Sequence, residues 1–549
     1  MLYRDISKIL GLFLLGFSAA FLLPLMIAGY YEFFADPSSH PQPHTTLHFF
    51  ESFVCCLLIG GIFYALGIKS QGNLYRREAL ALVVIIWLLT PMVAALPFKF
   101  SGTLKNPVQA YFESASGLTT TGSTIIQTKK FDPETGQEIP IIKNVCGSLD
   151  VEYTFWGNVD PVKDSSSGKV YEGIEALGKG LLFWRSFLHF LGGGGIVLLF
   201  IGIMPALGLG GKMLLQAELS GSPVKGSLAP RMNESSHLLW KIYVGLTLTQ
   251  VFLLMLTNSE ISFFDATTVS FATLSTGGFT IHNASIGYYQ NAYTDWIIVL
   301  FMILGSISFP LYFYVLKGKF YKLYEPEFII FLLVIFFSCG ICVWCLTGTE
   351  KRFFGSDPGI FSLAEAIRYG CFQVVSILTT TGFAMPDYDY WPYPIQVMLL
   401  LMMFVGGMSG STAGGFKILR GYMLARIGGH TIESLYRPDT VRQFRLGERE
   451  INHESVRLVL VFFLTLVTVT IGATFIYVLS GVDPETSLGF VSAMITNTGV
   501  GFRIAGPYDS MAFLSDSGLL FATFLMILGR LEFFAVLAVL IPAFWKTNS

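Results

Sequence analysis

Ten long apolar runs, separated by polar stretches, set the pattern of this chain: Ile9–Tyr31, Phe49–Ile68, Ala79–Phe98, Trp184–Gly208, Ile242–Leu256, Trp296–Leu316, Ile329–Leu346, Ile395–Phe416, Leu458–Leu479 and Leu519–Trp545. A helix needs about 20 apolar residues to cross a bilayer. The pattern therefore predicts an all-α polytopic protein with about ten transmembrane helices. Placing Met1 on the cytoplasmic side puts Arg4 and Lys8, Lys69, Arg76 and Arg77, Lys212, Lys225, Arg231 and Lys241, and Lys317, Lys319 and Lys322 inside. Lys417, Arg420, Arg426, Arg437, Arg442, Arg445, Arg449, Arg457 and Lys546 fall inside as well. This is the positive-inside bias expected of short loops, and it returns the C-terminus to the cytoplasm. One long polar segment, Gln127–Gly180, lies outside and has no role legible in its residues.

Between the runs, one arrangement recurs four times. A shorter, half-length segment such as Val108–Gly117 or Leu363–Ile377 leads into a loop rich in Thr and Gly on the outer side. The loops are Leu118-Thr119-Thr120-Thr121-Gly122-Ser123, Leu274-Ser275-Thr276-Gly277-Gly278-Phe279, Leu378-Thr379-Thr380-Thr381-Gly382-Phe383 and Thr496-Asn497-Thr498-Gly499-Val500-Gly501-Phe502. A single Thr-Thr-Gly carries no information, but four at matching places between paired spans define an internal repeat. The expected architecture is four helix–pore-loop–helix units around one ion pore, preceded by two extra helices. Its boundaries are 1–77 for the N-terminal pair, 78–235 for the first repeat with the 127–180 insertion, 236–325 for the second, 326–453 for the third and 454–549 for the fourth.

Irregular backbone at membrane depth is tolerated only in protein or along water. Four such loops on one axis would line a pore. Glycine lets the backbone turn carbonyls toward that axis, where they replace the hydration shell of a cation. The preceding half-helices aim their negative ends at the same point. The loop cores hold no carboxylate, which a divalent ion would ordinarily require, so a monovalent cation fits better.

Span eight ends in Gly406-Gly407-Met408-Ser409-Gly410-Ser411-Thr412-Ala413-Gly414-Gly415. Each Gly in a helix interior costs about 1 kcal/mol relative to Ala, so this stretch predicts a broken helix on the inner side of the third loop. It is not a phosphate-binding loop, because Phe416-Lys417 replaces the Gly-Lys-Ser/Thr ending. Gly192–Gly195 reads instead as a close-packing face. Arg530 lies within the last span, where a charge must face a cavity or a partner. It either projects into an inner vestibule beside the glycine stretch or pairs with a pore-helix carboxylate such as Glu113. Asp387 and Asp389 could concentrate cations at the outer mouth. His40, His44 and His48 read as a surface loop.

Composition narrows the classes. Hydrophobic residues make up 53% and charged residues only 13%, with 50 Phe, 56 Gly and a net charge of −2. Soluble domains carry about 25% charged residues, so a soluble enzyme and a nucleic-acid binder are excluded. The seven cysteines lie mostly in apolar runs; Cys339, Cys342 and Cys345 share one span and read as packing residues, not a metal site. No nucleophile–base pair appears in the spans, so the chain is read as a non-enzyme.

The segments Phe112-Glu113-Ser114-Ala115-Ser116-Gly117-Leu118-Thr119-Thr120-Thr121-Gly122, Leu274–Phe279, Gly406–Gly415 and Leu528-Gly529-Arg530-Leu531-Glu532, with Ala217-Glu218 to Pro230-Arg231 on the inner side, resemble the TrkH/KtrB/HKT superfamily of potassium transporters, closest to its bacterial TrkH branch. The resemblance covers nearly the whole chain. It implies a selectivity filter at Thr120, Thr121, Gly122, Ser275, Thr276, Gly277, Thr380, Thr381, Gly382, Asn497, Thr498 and Gly499, binding K⁺. It further implies a gate at Gly406, Gly407, Gly410, Ser411, Gly414, Gly415 and Arg530. Glycine at 122, where sodium-selective plant relatives carry Ser, implies potassium passage, with Rb⁺ and Na⁺ as further candidate ions. A homodimer in the inner membrane and a cytosolic TrkA-type regulatory subunit sensing NAD or ATP are implied in the same way. No cofactor is implied for this chain itself. Two mechanisms stay open: a gated, channel-like uptake pathway, and a symporter coupled to H⁺ or Na⁺ through Glu51, His189 or Glu532.

Overall fold

A computed structural model describes residues 3–36, 40–70, 76–145, 151–164, 168–195, 232–351, 359–437, 445–446, 449–450 and 453–546. Cys146, the end of the fourth apolar run beyond residue 195, Lys212, Lys225, Arg231, Arg442 and the stretch Ala217–Arg231 lie outside the described residues.

The first run is one long element, α1 (Tyr3–Ser18) passing through a short 3₁₀ turn into α2 (Leu22–Phe33), and the second is α3 (Thr46–Gly67). α1 and α3 pack directly. A Cβ on Gly11, Gly60 or Gly67 would collide with backbone of the opposite helix, so small residues set the close approach, as they do between helices in lipid.

The repeats follow in order. The first has α4 (Arg76–Ala94) with the short α5 (Leu96–Phe100), the half-length α6 (Pro107–Leu118) and α7 (Lys179–Gly193). The second has α8 (Met232–Thr257), α9 (Phe263–Leu274) and α10 (Ala292–Ser306), then α11 (Phe309–Leu316). The third has α12 (Pro326–Leu346), α13 (Leu363–Leu378) and α14 (Tyr393–Val405), then α15 (Ile418–Tyr436). The fourth has α16 (His453–Leu479), α17 (Pro484–Thr496) and α18 (Asp516–Arg530), then α19 (Phe534–Leu540) and α20 (Pro542–Trp545). Every half-helix starts on a residue whose side chain caps its amides: Asn106, Ser262, Ser362 and Asp483 accept from Val108, Asp265, Glu365 and Thr486. Such caps are worth about 1 kcal/mol each, and they let helices of three or four turns stand alone between longer spans.

The packing closes a ring. α7 packs on α9, α10 on α13, α14 on α17, and α18 returns to α6. The second helix of each unit thus buttresses the half-helix of the next.

Among the described residues, six helical elements are long and apolar enough to span a membrane unbroken, and α10 with α11 form a pair bent by 94°. The second helix of each unit is shorter than its apolar run. Trp296–Leu316 bends after Ser306, Ile395–Phe416 stops as a helix at Val405, and Leu519–Trp545 stops at Arg530. The helical part of the fourth run ends at Gly193. Glycines and hydroxyls mark the breaks at Gly305–Ser308 and Gly406–Gly415, whereas α18 ends at Arg530 without such a cluster.

Among its described residues the segment 127–180 forms three antiparallel two-stranded hairpins: β1 (Lys130–Phe131) with β2 (Glu138–Ile139), β3 (Ile141–Val145) with β4 (Val151–Phe155), and β5 (Val162–Lys163) with β6 (Val170–Tyr171). The second hairpin rests on the fourth unit, where Ile141 and Phe155 form a small core with Ile504. Tyr153 donates to the Asp483 carboxylate at 2.7 Å.

Candidate functional site

The half-helices α6, α9, α13 and α17 end at one ring of buried residues. Each loop then reverses the chain through a residue with positive φ: Thr120 at 56°, Thr276 at 53°, Thr380 at 55° and Asn497 at 57°. Asn tolerates this region, but for β-branched Thr it is a strained outlier. Strain of about 1–3 kcal/mol per residue persists where the surroundings over-determine it, and it concentrates at functional sites. Three strained threonines at equivalent positions mark this ring as the candidate site.

The next amide in each loop folds back onto its own helix. Thr121 donates to Ser116 O at 2.9 Å, Gly277 to Ala272 O at 2.8 Å, Thr381 to Ser376 O at 2.9 Å and Thr498 to Ala493 O at 2.9 Å. With the N–H groups turned back, the trans peptide directs the carbonyls the other way. A second positive-φ position follows at Gly122 (83°), Gly278 (86°), Gly382 (76°) and Gly499 (82°). A Cβ on Gly122 would run into Gly277 O, on Gly278 into Thr381 O, on Gly382 into Thr498 O and on Gly499 into Thr121 O. Each loop's glycine therefore lies against the carbonyl of the next loop, and the fourth closes on the first.

This geometry fixes the register and shifts one expected residue. In the second loop, Gly278 stands where Gly122, Gly382 and Gly499 stand. Gly277 takes the place of Thr121, Thr381 and Thr498. Ser275 and Thr276 lie in the ring, as do Thr120, Thr121, Gly122, Thr380, Thr381, Gly382, Asn497, Thr498 and Gly499. The other three loops pair hydroxyls across this position, Thr119 with Thr121 at 2.7 Å, Thr379 with Thr381 at 2.8 Å and Thr496 with Thr498 at 2.9 Å. At Gly277 the missing side chain is replaced by the His189 ring. His189 Nε2 accepts from Phe279 N–H at 3.1 Å and Nδ1 lies 2.8 Å from Gly117 O. One nitrogen accepts and the other donates, so this imidazole is neutral. Asn497 ties the ring's ends together by donating to Thr121 Oγ1 at 3.0 Å and to Met526 O at 2.9 Å.

The glycine stretch after α14 lies directly inside this ring. Gly406, Gly410 and Gly415 adopt φ of 71°, 77° and 77°, which only glycine takes up without cost. Gly407 packs against Ser306 and Ala413, and a Cβ on Gly414 would strike Thr496 O. Gly414 N donates to Thr380 Oγ1 at 2.7 Å. Thr412 Oγ1 donates to Leu274 O at 3.0 Å and receives the Thr276 hydroxyl at 3.3 Å. Ser411 closes a turn onto Met408 O at 2.6 Å. The stretch thus touches the second, third and fourth loops.

Arg530 crosses to the same stretch. Its guanidinium donates to Thr412 O at 2.9 Å and to Gly192 O at 2.7 Å. The alternative pairing of Arg530 with Glu113 is overturned: Glu113 is fully buried and binds Arg185 Nε at 2.8 Å. Arg185 also donates to Thr280 O at 2.7 Å and lies 4.0 Å over the Phe279 ring. Thr124 and Ile125 complete the Glu113 carboxylate. This Glu113–Arg185 unit joins α6, α7 and the exits of the first two loops. Sequence reasoning missed Arg185, although a charge inside an apolar run signals a buried partner. Glu532, two residues after Arg530, pairs with Arg420. Gly192, Gly193 and Gly194 make close contacts with Leu118, Ser275 and Trp240, as a packing face does.

At the outer mouth, Asp389 is committed to Arg503 at 3.2 Å, so it is not a bare cation attractor. Asp387 caps a turn by accepting from Asp389 N. Burial, with Asp389 and Asp509 nearby, pushes its carboxyl up to about 6. His282, just beyond the second loop, sits 3.2 Å from Glu175 of the insertion and 3.9 Å from Asp265. Burial works against its charged form, but the two carboxylates prevail and hold it above the usual histidine value. His40 bonds Gln42 and packs edge-on against His44 with ring centroids 6.2 Å apart, while His48 faces Glu51 at 3.3 Å. Among the described residues no group of three His, Cys, Asp or Glu is placed to hold a metal ion.

Comparison with known proteins matches residues 163–546 to the TrkH family, described as cation transport proteins. The Trk system potassium uptake protein TrkH of Escherichia coli K12 is 31% identical over 551 residues, covering all of both chains. The Trk system potassium uptake protein TrkG of the same strain is 28% identical, covering 99% of each. The crystal structure of the potassium transporter TrkH from Vibrio parahaemolyticus superposes with a TM-score of 0.77 at 26% identity, covering all of both chains.

Proposed function

The chain belongs to the TrkH family of cation transport proteins, a family of transporters and not of enzymes, and from that premise we propose that it moves potassium into the cell through the four-loop ring. The supporting observation is the closed circuit in which each loop's glycine abuts the next loop's carbonyl. Such a circuit holds carbonyl oxygens at fixed separation, which is what replacing a hydration shell requires. In this reading Thr120, Thr121, Gly122, Ser275, Thr276, Gly277, Thr380, Thr381, Gly382, Asn497, Thr498 and Gly499 form the filter, and Gly278 joins them.

The stretch Gly406–Gly415, pinned by Arg530, is the gate. It sits against three of the four loops from the inner side, and its release would need Arg530 to leave two carbonyls. A channel-like pathway is favoured over coupled symport, because the groups suited to carrying a coupling ion are already engaged. His189 is fixed between two backbone groups, Glu532 pairs with Arg420, and Glu51 faces His48. The protein is placed in the cytoplasmic membrane with both termini inside, as a homodimer whose inner face, including α15, receives a TrkA-type nucleotide-binding subunit. K⁺ and Na⁺ flux into liposomes tests the reading. Passive K⁺ flux exceeding Na⁺ flux, with the preference lost in Gly122→Ser, supports it; flux that demands an H⁺ or Na⁺ gradient overturns it.

A further inference from the structure

The segment from α11 to the start of α12 is tied to the gate stretch at both ends. Phe309 N, at the start of α11, donates to Gly410 O at 3.0 Å. The Glu327 carboxylate, in the first turn of α12, accepts from Ser409 N at 2.6 Å. Between these two anchors runs an exposed strap, Leu316-Lys317-Gly318-Lys319-Phe320-Tyr321-Lys322-Leu323-Tyr324.

α11 turns 94° from α10. Where α10 runs along the membrane normal, α11 runs in the membrane plane, on the inner side under the positive-inside orientation. The strap that follows exposes Leu316 by 70%, Phe320 by 60%, Tyr321 by 62% and Tyr324 by 79%. Lys317 rests over the Phe313 ring at 4.1 Å and Lys322 over the Tyr321 ring at 5.6 Å, so ammonium groups and rings share one surface. Exposed aromatics with interleaved lysines, here on the 3₁₀ turn Phe320–Tyr324 that follows α11, are features of an interfacial anchor. The aromatics favour a lipid over a soluble anion, and Lys317 and Lys319, beside a Lys322 that is shared with Glu325 at 2.9 Å, favour an anionic one.

We propose that the strap 316–324 binds the headgroups of anionic phospholipids in the inner leaflet, and that this binding holds the gate stretch where it is seen, against the filter loops. The proposal rests on the reading of Gly406–Gly415 as the gate. Lipid at the strap steadies Phe309 and Glu327, and through them Gly410 and Ser409. Anionic lipid therefore lowers flux.

Two measurements on the full-length protein in liposomes test this. A lysine near an anionic surface gains about fivefold in binding. In the first, Phe320→Trp reports bound lipid by quenching, with wild type as background. Brominated phosphatidylglycerol should quench more than brominated phosphatidylcholine, and equal quenching overturns the lipid site. In the second, K⁺ flux is compared between phosphatidylcholine vesicles and vesicles containing phosphatidylglycerol. Wild-type flux should fall several-fold with the anionic lipid, and Lys317→Gln/Lys319→Gln/Lys322→Gln should abolish the difference while keeping the flux seen in phosphatidylcholine. A triple variant that keeps the lipid dependence overturns the proposal. So does one whose flux drops equally in both vesicles, which would assign the strap to a protein partner. Preferential quenching with lipid-independent wild-type flux would leave the headgroups bound but refute their coupling, and the fault would then lie in the gate assignment.

Discussion

The outer and inner halves of the four units differ in kind. On the outer side the four loops repeat one backbone: a helix end, a residue at φ near 55°, an amide folded back, and a glycine against the next carbonyl. On the inner side, among the described residues, the second helices of the last three units end in three different ways. α10 bends by 94° into α11, α14 gives way to the Gly406–Gly415 stretch, and α18 stops at Arg530 before Glu532 and Phe533, both at positive φ. On the proposed reading, a filter must present equal oxygens from every side, which fits units that stay alike, and a gate needs one element that moves against others that stay, which fits units that diverge.

The comparison breaks most completely if the ring glycines are replaced. Gly278→Ser should remove K⁺ over Na⁺ preference as fully as Gly122→Ser, because both side chains would enter a neighbouring carbonyl. Gly277→Ala should be milder and relieved by His189→Ala, since its obstacle is a ring and not backbone. Flux ratios for the four variants decide the register. Glu113→Ala should cost about 3–5 kcal/mol by stranding Arg185 in the interior, read as a lower melting temperature. Arg530→Ala should raise K⁺ flux about tenfold, the equivalent of about 1.4 kcal/mol, from the loss of its hydrogen bonds to Thr412 and Gly192, with selectivity unchanged. A change in selectivity would mean that inner and outer halves are not separable.

The smallest effect concerns the insertion. His282 is held above its ordinary pKa by Glu175 and Asp265, so its contribution is present below about pH 6.5 and is lost as pH rises through the higher folded-state value. As pH rises from about 6.5 to 8, the melting temperature of the wild type should fall more than that of His282→Gln.

Much of the outer half was legible, because Thr-Gly loops between apolar runs are a local, repeated signal. The second loop was misaligned by one residue for an equally local reason. Tandem Gly277-Gly278 allows two alignments, and matching on Thr-Gly selects the wrong one. Matching on the following phenylalanine, Gly278-Phe279 against Gly382-Phe383, would have found the right one. The inner breaks were legible only where glycines crowd, as at Gly406–Gly415. The halt of α18 has no such mark, and its strained Glu532 is held by Arg420 and its Phe533 by packing. The Glu113–Arg185 pair was invisible because its partners lie on either side of a long insertion, and only the folded chain brings them together.

Because all four quarters of the ring are encoded in one polypeptide, each can be edited without touching the other three. A tetramer of identical chains would feel any substitution four times over. Here the second quarter already carries Gly277 and a histidine ring where its sisters carry threonine hydroxyls, and the circuit still closes. Selectivity in this architecture is open to inheritance in quarter steps.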